Sequence, residues 1–467
     1  LEISTEWQDF HQALIGKTMA APIANKPTDV EKALADAVYQ TQRQPALALS
    51  HAVALDRVLS QMDWLEPITY ALHGTATPYG NSDEDGAPWR MSTPGVFDCL
   101  YQAHRQHLDP PGLALATAFR KARGPEIPAL NLLYANECLD LDSLWLRFFN
   151  KYLAYYGGQN AVSLKPGNAS RFDRLCRSAD SPHKIHTWGP LVSVLMPVFN
   201  ATATLHKAAQ SILEQTWQNL ELILVDDCSK DNSLQIAHDL QSQDARVKVL
   251  ALNTNGGPYV AKNVGLTVAK GQYLTVHDAD DWAFPNRIEQ QLQPLLHAKG
   301  SGLAVTMGRT LRCDMNGQFT RFQPLDWVSL DGALRLCFPS PLFNRAYFDQ
   351  KLGAWDSVRI GADAEIFQRI RRFDPSALQI LDTPVMLQLD LDGSLTRSEE
   401  THNDERGEAP ARTAYRQAWS AWHAAQTEMP KLQFPQTQRA FAVPDSLQAH
   451  TAVTNDLLGR IEDRNLT

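Results

Sequence analysis

Apolar positions along the chain change their period near residue 190. From Glu31 to about Gly157 they recur mostly at helical spacing. The clearest piece is Leu141, Leu144, Trp145, Phe148, Phe149, Tyr152, Leu153 and Tyr156, an i, i+3, i+4, i+7 ladder that Gly157-Gly158 stops. A stripe of this kind predicts the core face of a helix bundle rather than a ligand groove. Residues 157–190 are interrupted by Gly, Pro and Ser and read as a linker with a few short elements. From Leu191 onward short apolar runs alternate with amphipathic segments. Strands are predicted over 191–198, 221–225, 247–252 and 273–277, and helices through Leu205–Leu213, Leu234–Leu240 and Val260–Val264. A βαβαβαβ run of this kind implies a largely parallel sheet covered on both faces. Asn316-Gly317, flanked by strand-like residues, predicts a hairpin and hence antiparallel elements beside the parallel ones. Around Tyr415 to Trp422 the helical period returns.

The expected architecture is therefore α/β. A mostly parallel central sheet with antiparallel elements occupies 186–400, preceded by a mainly α-helical N-terminal domain over 1–185 and followed by a helical extension over 401–467. Ligands of an open α/β sheet lie beyond the carboxyl ends of the strands. Four polar clusters fall there: Pro197 to Asn200, Asp226-Asp227, Asn253 to Gly257, and His277 to Asp281. Phe199 offers a flat face for a base, or packing. Asp227 can accept from a ring N–H, or cap the following turn, so that one of Asp226 and Asp227 caps while the other binds. Gly256-Gly257 lets backbone approach a ligand closely, and Lys262 and Asn263 are placed to reach ribose or phosphate. Asp278 and Asp280 are the strongest element. Strand alternation directs both to one side, where a divalent ion held with a diphosphate would offset their charge.

Composition narrows the classes. The 467 residues are 44% hydrophobic and 20% charged, with a net charge of −9, which fits a multi-domain globular protein and argues against a general nucleic-acid binder. Six cysteines stand singly, without a Cys-x-x-Cys pair, so reduced thiols in a cytoplasmic protein are expected. No apolar run reaches the roughly 18–20 residues of a membrane span, so the expectation is a soluble chain, at most peripheral to the inner face of a membrane. The N-terminus has no signal-peptide pattern and no Met, as a fragment or trimmed form would show. His73 and the acidic run Ser82 to Gly86 read as a solvated loop.

Four segments in order, Ser193 to Asn200, Val225-Asp-Asp-Cys-Ser229, Asn255-x-Gly257-x-x-x-Ala261-Lys262-Asn263-x-Gly265, and the Asp-x-Asp of Asp278-Ala279-Asp280, resemble the motifs of glycosyltransferase family 2, of the GT-A fold, over roughly 191–397. The resemblance implies a nucleotide-sugar site with Pro197, Phe199, Asp227, Gly257, Lys262, Asp278 and Ala279. Within it, Asp227 would meet the nucleobase, Asp280 would be the main ligand of Mn²⁺ or Mg²⁺, and Asp278 would stand nearer the ribose or metal. It implies an inverting transfer from a nucleotide sugar, commonly UDP-linked, to a saccharide or lipid-linked acceptor in bacterial surface polysaccharide or glycoconjugate synthesis. The base of the family falls on Asp363 in Gly361-Ala-Asp363-Ala-Glu365, with Glu365 as second choice, and Gly393-Ser-Leu-Thr-Arg397 resembles a closing segment that brings Arg397 to the diphosphate. Lys262 departs from the usual Arg, and Gln368 to Arg372 lacks the Gln-x-x-Arg-Trp of processive synthases, so transfer of a single sugar is expected. The rival readings are a nucleotidyltransferase, for which a Gly-rich phosphate loop after the first strand is missing, and a degenerate nucleotide-sugar-binding scaffold.

Overall fold

The computed structural model describes residues 128–136, 138–158, 162–181, 183–298, 300–322, 328–391, 401, 403–404, 407–436 and 438–449. The helical expectation for residues 31–127, His73, the acidic run at 82–86, Cys99, Arg397 and the tail beyond 449 lie outside the described residues. The chain divides into two compact units. One holds residues up to Tyr152 together with Phe319–Arg335, and the other holds Leu153–Gln318 and Leu336 onward.

In the first unit, helix α1 (Leu130–Asn136) is followed by α2 (Asp142–Ala154), which carries the predicted stripe from Leu144 to Leu153. Trp145, Phe149 and Tyr152 are fully buried, and the Trp145 ring stacks on Phe319 at 5.6 Å. Leu141, at the start of the ladder, is instead 55% exposed. Cys176, Cys228, Cys313 and Cys337 are free thiols, and no described helix is long and apolar enough to cross a membrane.

The second unit begins with a small antiparallel pair, β1 (Val162–Leu164) and β2 (Leu175–Arg177), and then builds the predicted alternation. In chain order it runs β3 (Val192–Val198), α3 (Leu205–Leu213), β4 (Leu220–Asp226), α4 (Ser233–Gln243), β5 (Val247–Ala251), α5 (Pro258–Val268) and β6 (Tyr273–Val276). After these come β7 (Trp282–Ala283), α6 (Arg287–His297), β8 (Val305–Cys313), β9 (Arg335–Leu336), β10 (Leu342–Asn344), α7 (Ala362–Phe373), β11 (Leu378–Leu389) and α8 (Pro410–Ala424). Strands β5, β4, β3 and β6 lie side by side and parallel. The sheet continues through β10, β8, β11 and β7, where antiparallel pairs enter. The predicted turn at Asn316-Gly317 exists, with Gly317 at φ 83° and the Asp314 amide donating to Gln318 O. Residues 320–322 form no strand, because Arg321 takes a left-handed φ of 57° and turns the chain.

Strand alternation sorts two cores. Val192, Val194, Met196 and Val198 of β3 and Leu222 and Leu224 of β4 face α3, α4 and α6. Leu195, Ile223 and Val225 face α5, α7 and α8. Each such fully buried side chain contributes about 1.5–3 kcal/mol, and it is this doubled burial that makes the strands near-continuously apolar. Successive strands step from β3 to β4 to β5 and then return, with β6 on the other side of β3. The crevice at that reversal, beyond the carboxyl ends of β3 and β6, is where an open sheet takes a ligand.

Candidate active site

Beyond β3 the backbone leaves the sheet at Phe199 and Asn200. Phe199 is 48% exposed, a bare ring at the strand end, while Pro197 stays half-buried in β3 opposite Val225. Asn200 takes a φ of 49° and its side chain accepts from the Lys230 amide at 2.8 Å. The two acids after β4 divide their work. Asp226 accepts from the Ser229 amide at 3.1 Å and so closes the turn. Asp227 instead accepts from the amides of Gly256 at 2.7 Å and Gly257 at 2.8 Å. Gly257 sits at φ 87°, in the left-handed region, immediately before Pro258 opens α5. Burial pushes the Asp227 carboxyl up to about 6, against the pull of those two amides and of Arg359. Since the folded value lies above the ordinary 3.8, its proton-linked stability is full below 3.8 and is lost as pH rises through about 6. A carboxylate has about four acceptor positions, so two remain for a ligand. Replacing Asp227 with Ala is expected to orphan two buried amides and cost about 1–3 kcal/mol, read as a lower urea midpoint at unchanged slope.

At the end of β6 the chain carries His277, Asp278, Asp280 and Asp281. Strand β6 stops at Val276, and Ala279 and Asp280 form a turn, so it is the turn and not strand alternation that crowds Asp278 and Asp280 together. Ala279 is buried. Burial and the charge of Asp278 push the Asp280 carboxyl up to about 6, partly opposed by Arg312. Asp281 is tied elsewhere, accepting from the Leu389 amide and the Gln388 side chain, both at 3.2 Å. His277 is fully buried beneath the acids, 2.9 Å from a guanidinium nitrogen of Arg287; burial and that cation hold its pKa well down, so it is a neutral support.

Asp363 lies in the first turn of α7, following Gly361 at φ 90°. Its carboxylate accepts from Lys262 Nζ at 3.1 Å and from the Tyr259 hydroxyl at 3.1 Å, both from α5. Lys262 Nζ also stands 3.7 Å from Asp278 Oδ1. Burial lowers the Lys262 pKa, but Asp363 and Asp278 more than offset this, so the ammonium is held above the lysine range. Burial raises the Asp363 carboxyl, against Lys262. Lys262 is thus committed to two carboxylates instead of extending to ribose. Asn263 is also engaged, with its side-chain amide clamped on the Trp355 backbone at 2.9 and 3.0 Å. Glu365 is fully buried and accepts from Arg369 and His423, which leaves Asp363 as the carboxylate among Asp278 and Lys262. Two further residues border the site without a strong sequence signal. Tyr259 sits one helical turn before Lys262, a spacing that places both on one face of α5. Exposed Arg359 donates to the Asn255 side chain at 2.9 Å and lends its charge to Asp227.

Residues 193–343 match the sequence profile of glycosyl transferase family 2. This stretch is a glycosyl transferase family 2 domain. Within and around the family 2 domain, the chain is 39% identical over 145 residues to an uncharacterized glycosyltransferase of Haemophilus influenzae, covering 30% of this chain and 57% of that protein. It is 47% identical over 106 residues to glycosyltransferase GlyG of Streptococcus pneumoniae, covering 22% and 35%. It is 29% identical over 189 residues to the succinoglycan biosynthesis protein ExoO of Rhizobium meliloti, covering 37% and 53%. The chain therefore spans between about a third and somewhat over half of the length of these relatives. The family 2 domain contains Asp227, Lys262, Asp278 and Asp280, while Asp363 lies twenty residues beyond its end.

Proposed function

We propose that this chain is an inverting, metal-dependent glycosyltransferase that moves one sugar from a nucleotide sugar, UDP-linked, to the hydroxyl of a saccharide or lipid-linked acceptor in surface polysaccharide or glycoconjugate synthesis. The observation that carries the reading is the meeting of Asp278, Lys262 and Asp363 within hydrogen-bonding and ion-pair distance, beside Asp280 at the switch point of the sheet. The relatedness of ExoO supports the polysaccharide setting.

The acid pair suits a hard divalent cation. Asp278 and Asp280 offer oxygen ligands, and burial together with the charge of Asp278 raises the Asp280 carboxyl, a cost that a cation would relieve. Among the described residues no set of three or more His, Cys, Asp or Glu side chains is arranged to hold an ion unaided. That fits Mg²⁺ or Mn²⁺ held by one or two carboxylates and completed by donor phosphates. Bound there, the ion would supply charge neutralisation for the departing diphosphate.

The chain's own residues do the rest. Phe199 offers a ring face to the base, and Asp227 an acceptor for a ring N–H. Asp363 takes the proton of the acceptor hydroxyl as its oxygen forms a bond to the anomeric carbon, while the bond from that carbon to the nucleotide diphosphate breaks with its electron pair. Attack opposite the leaving group inverts the centre. Lys262 and Tyr259 keep the base in place, and Lys262 favours its ionised form.

A UDP-release assay over a panel of UDP-, GDP- and CMP-sugars with Mn²⁺ and acceptor extracts tests the proposal, and inertness of every donor defeats it. The nucleobase contact has its own check. Because Asp227 protonates as pH falls through about 6, it then loses acceptor capacity, so uridine affinity is expected to drop over that window. Uridine titrations between pH 7.5 and 5 by tryptophan fluorescence read this without interference from phosphate ionisation. An Asp227→Asn variant with an unchanged step would remove Asp227 from the base contact.

A further inference from the structure

Residues 352–369, which carry Arg359, Asp363 and Glu365, are lined along one side by the C-terminal segment 410–449, well past the end of the family 2 match. The contacts run in sequence. The Leu432 amide donates to Leu352 O at 3.1 Å, and Gly353, at φ 78°, lies so close that a Cβ would come 2.1 Å from Leu432 O. Asp356 is fully buried and accepts from the Tyr415 hydroxyl at 2.9 Å and from Arg439 at 2.6 Å. Val358 bridges Gln448, and the Arg359 amide donates to Leu447 O at 2.9 Å. Gly361 lies against the Tyr415 ring, where a Cβ would be 3.2 Å from two ring carbons. Fully buried Glu365 accepts from His423 Nε2 at 2.8 Å, and Arg369, which also bonds Glu365, donates to Pro430 O at 3.1 Å.

Two of these contacts are chemically expensive. A carboxylate taken out of water needs its partners, and removal of one leaves an uncompensated charge. Asp356 and Glu365 flank Asp363 on either side, and each receives a partner from α8. Tyr415 and Trp419 of α8 also enter the apolar core that packs α5 and α7. We propose that the C-terminal segment is a positioning element of the candidate active site: Tyr415, through Asp356, and His423, through Glu365, set the first turn of α7 and thereby hold Asp363 against Lys262 and Asp278. The proposal rests on the reading of Asp363 as the base. Tyr415 and His423 touch no reacting atom in this scheme, and small displacements of a base cost up to about a hundredfold in rate.

The test uses the full chain with Tyr415→Phe, His423→Phe, His423→Gln and Asp363→Asn variants. Gln keeps an N–H donor for Glu365, whereas Phe does not. Turnover is read as UDP release from UDP-glucose, UDP-galactose and UDP-N-acetylglucosamine with Mn²⁺, and local order as amide hydrogen exchange. Tyr415→Phe and His423→Phe are expected to lower kcat by about tenfold to a hundredfold at unchanged donor KM. Exchange should quicken at residues 361–366 while β3 and β4 stay protected, and His423→Gln should recover most of the turnover. The proposal is overturned if kcat is unchanged, if the loss falls on KM, if exchange quickens equally across the sheet, or if Gln is no better than Phe. Parent-like turnover by Asp363→Asn, or no turnover by the parent on any of the three donors, defeats the base or the donor reading instead, and the exchange pattern at 361–366 still decides whether α8 holds α7.

Discussion

Asp363→Asn is expected to lower kcat by about 10²–10⁴-fold, the contribution typical of a general base, with donor KM near that of the parent. The substitution keeps the shape and an oxygen that can accept from Lys262 Nζ and the Tyr259 hydroxyl. What it removes is the ability to take a proton. Lys262 keeps Asp278 as a counter-charge at 3.7 Å, so its burial remains tolerable and the fold should survive. Burial raises the Asp363 carboxyl, with Lys262 opposing, so the acid limb of the parent's kcat profile should lie above the range of an exposed aspartate. Steady-state UDP release with a working acceptor measures both. A variant with kcat within about tenfold of the parent would assign the base elsewhere.

Asp280→Ala should abolish metal-stimulated turnover, by about a thousandfold or more, since neutralising a departing diphosphate is worth several kcal/mol at 1.36 kcal/mol per factor of ten. The same variant is expected to melt no lower than the parent, and at neutral pH slightly higher. The reasoning is one of sign. The Asp280 carboxyl is pushed up to about 6 by burial and by Asp278, so its favourable contribution belongs to low pH and is lost as pH rises through that value. Above it, the ionised group strains the fold, as functional sites commonly do. The Asp281 carboxyl next door is also pushed well above the ordinary range, by burial and by Asp280, but it ties down the Leu389 amide and the Gln388 side chain of β11. Because its loss orphans that buried amide, it should lower the melting temperature. Paired Mn²⁺ titrations and thermal melts separate the two aspartates. A destabilised Asp280→Ala with full turnover would make Asp280 a structural residue.

Elements of strong periodicity were legible in the chain. The four strands β3 to β6 and the helices between them fall where the apolar runs put them, because β3 and β4 bury both faces and α3 and α4 lay an apolar face on the sheet. The site was legible as a set of residue types after strands. Its inner arrangement was not. Asn263 and Lys262 are neighbours on the same helix and looked equivalent, yet Asn263 clamps the Trp355 backbone while Lys262 holds the acids. Glu365 and Asp363 lie two residues apart in one acidic helix start, and only the partners on α8 and Arg369 assign Glu365 to structure. His277, in a polar run, is buried under Arg287.

Local sequence determined the alternation of strand and helix, the glycine turn before α5 and the accumulation of carboxylates at strand ends, since these follow from side-chain period, backbone freedom and charge within a few residues. Tertiary structure alone decided which carboxylate stays open and which is spent. That depends on donors more than fifty residues away, Lys262 for Asp363, Leu389 for Asp281 and His423 for Glu365, and a hydrogen bond across such distances leaves no periodic trace in the chain.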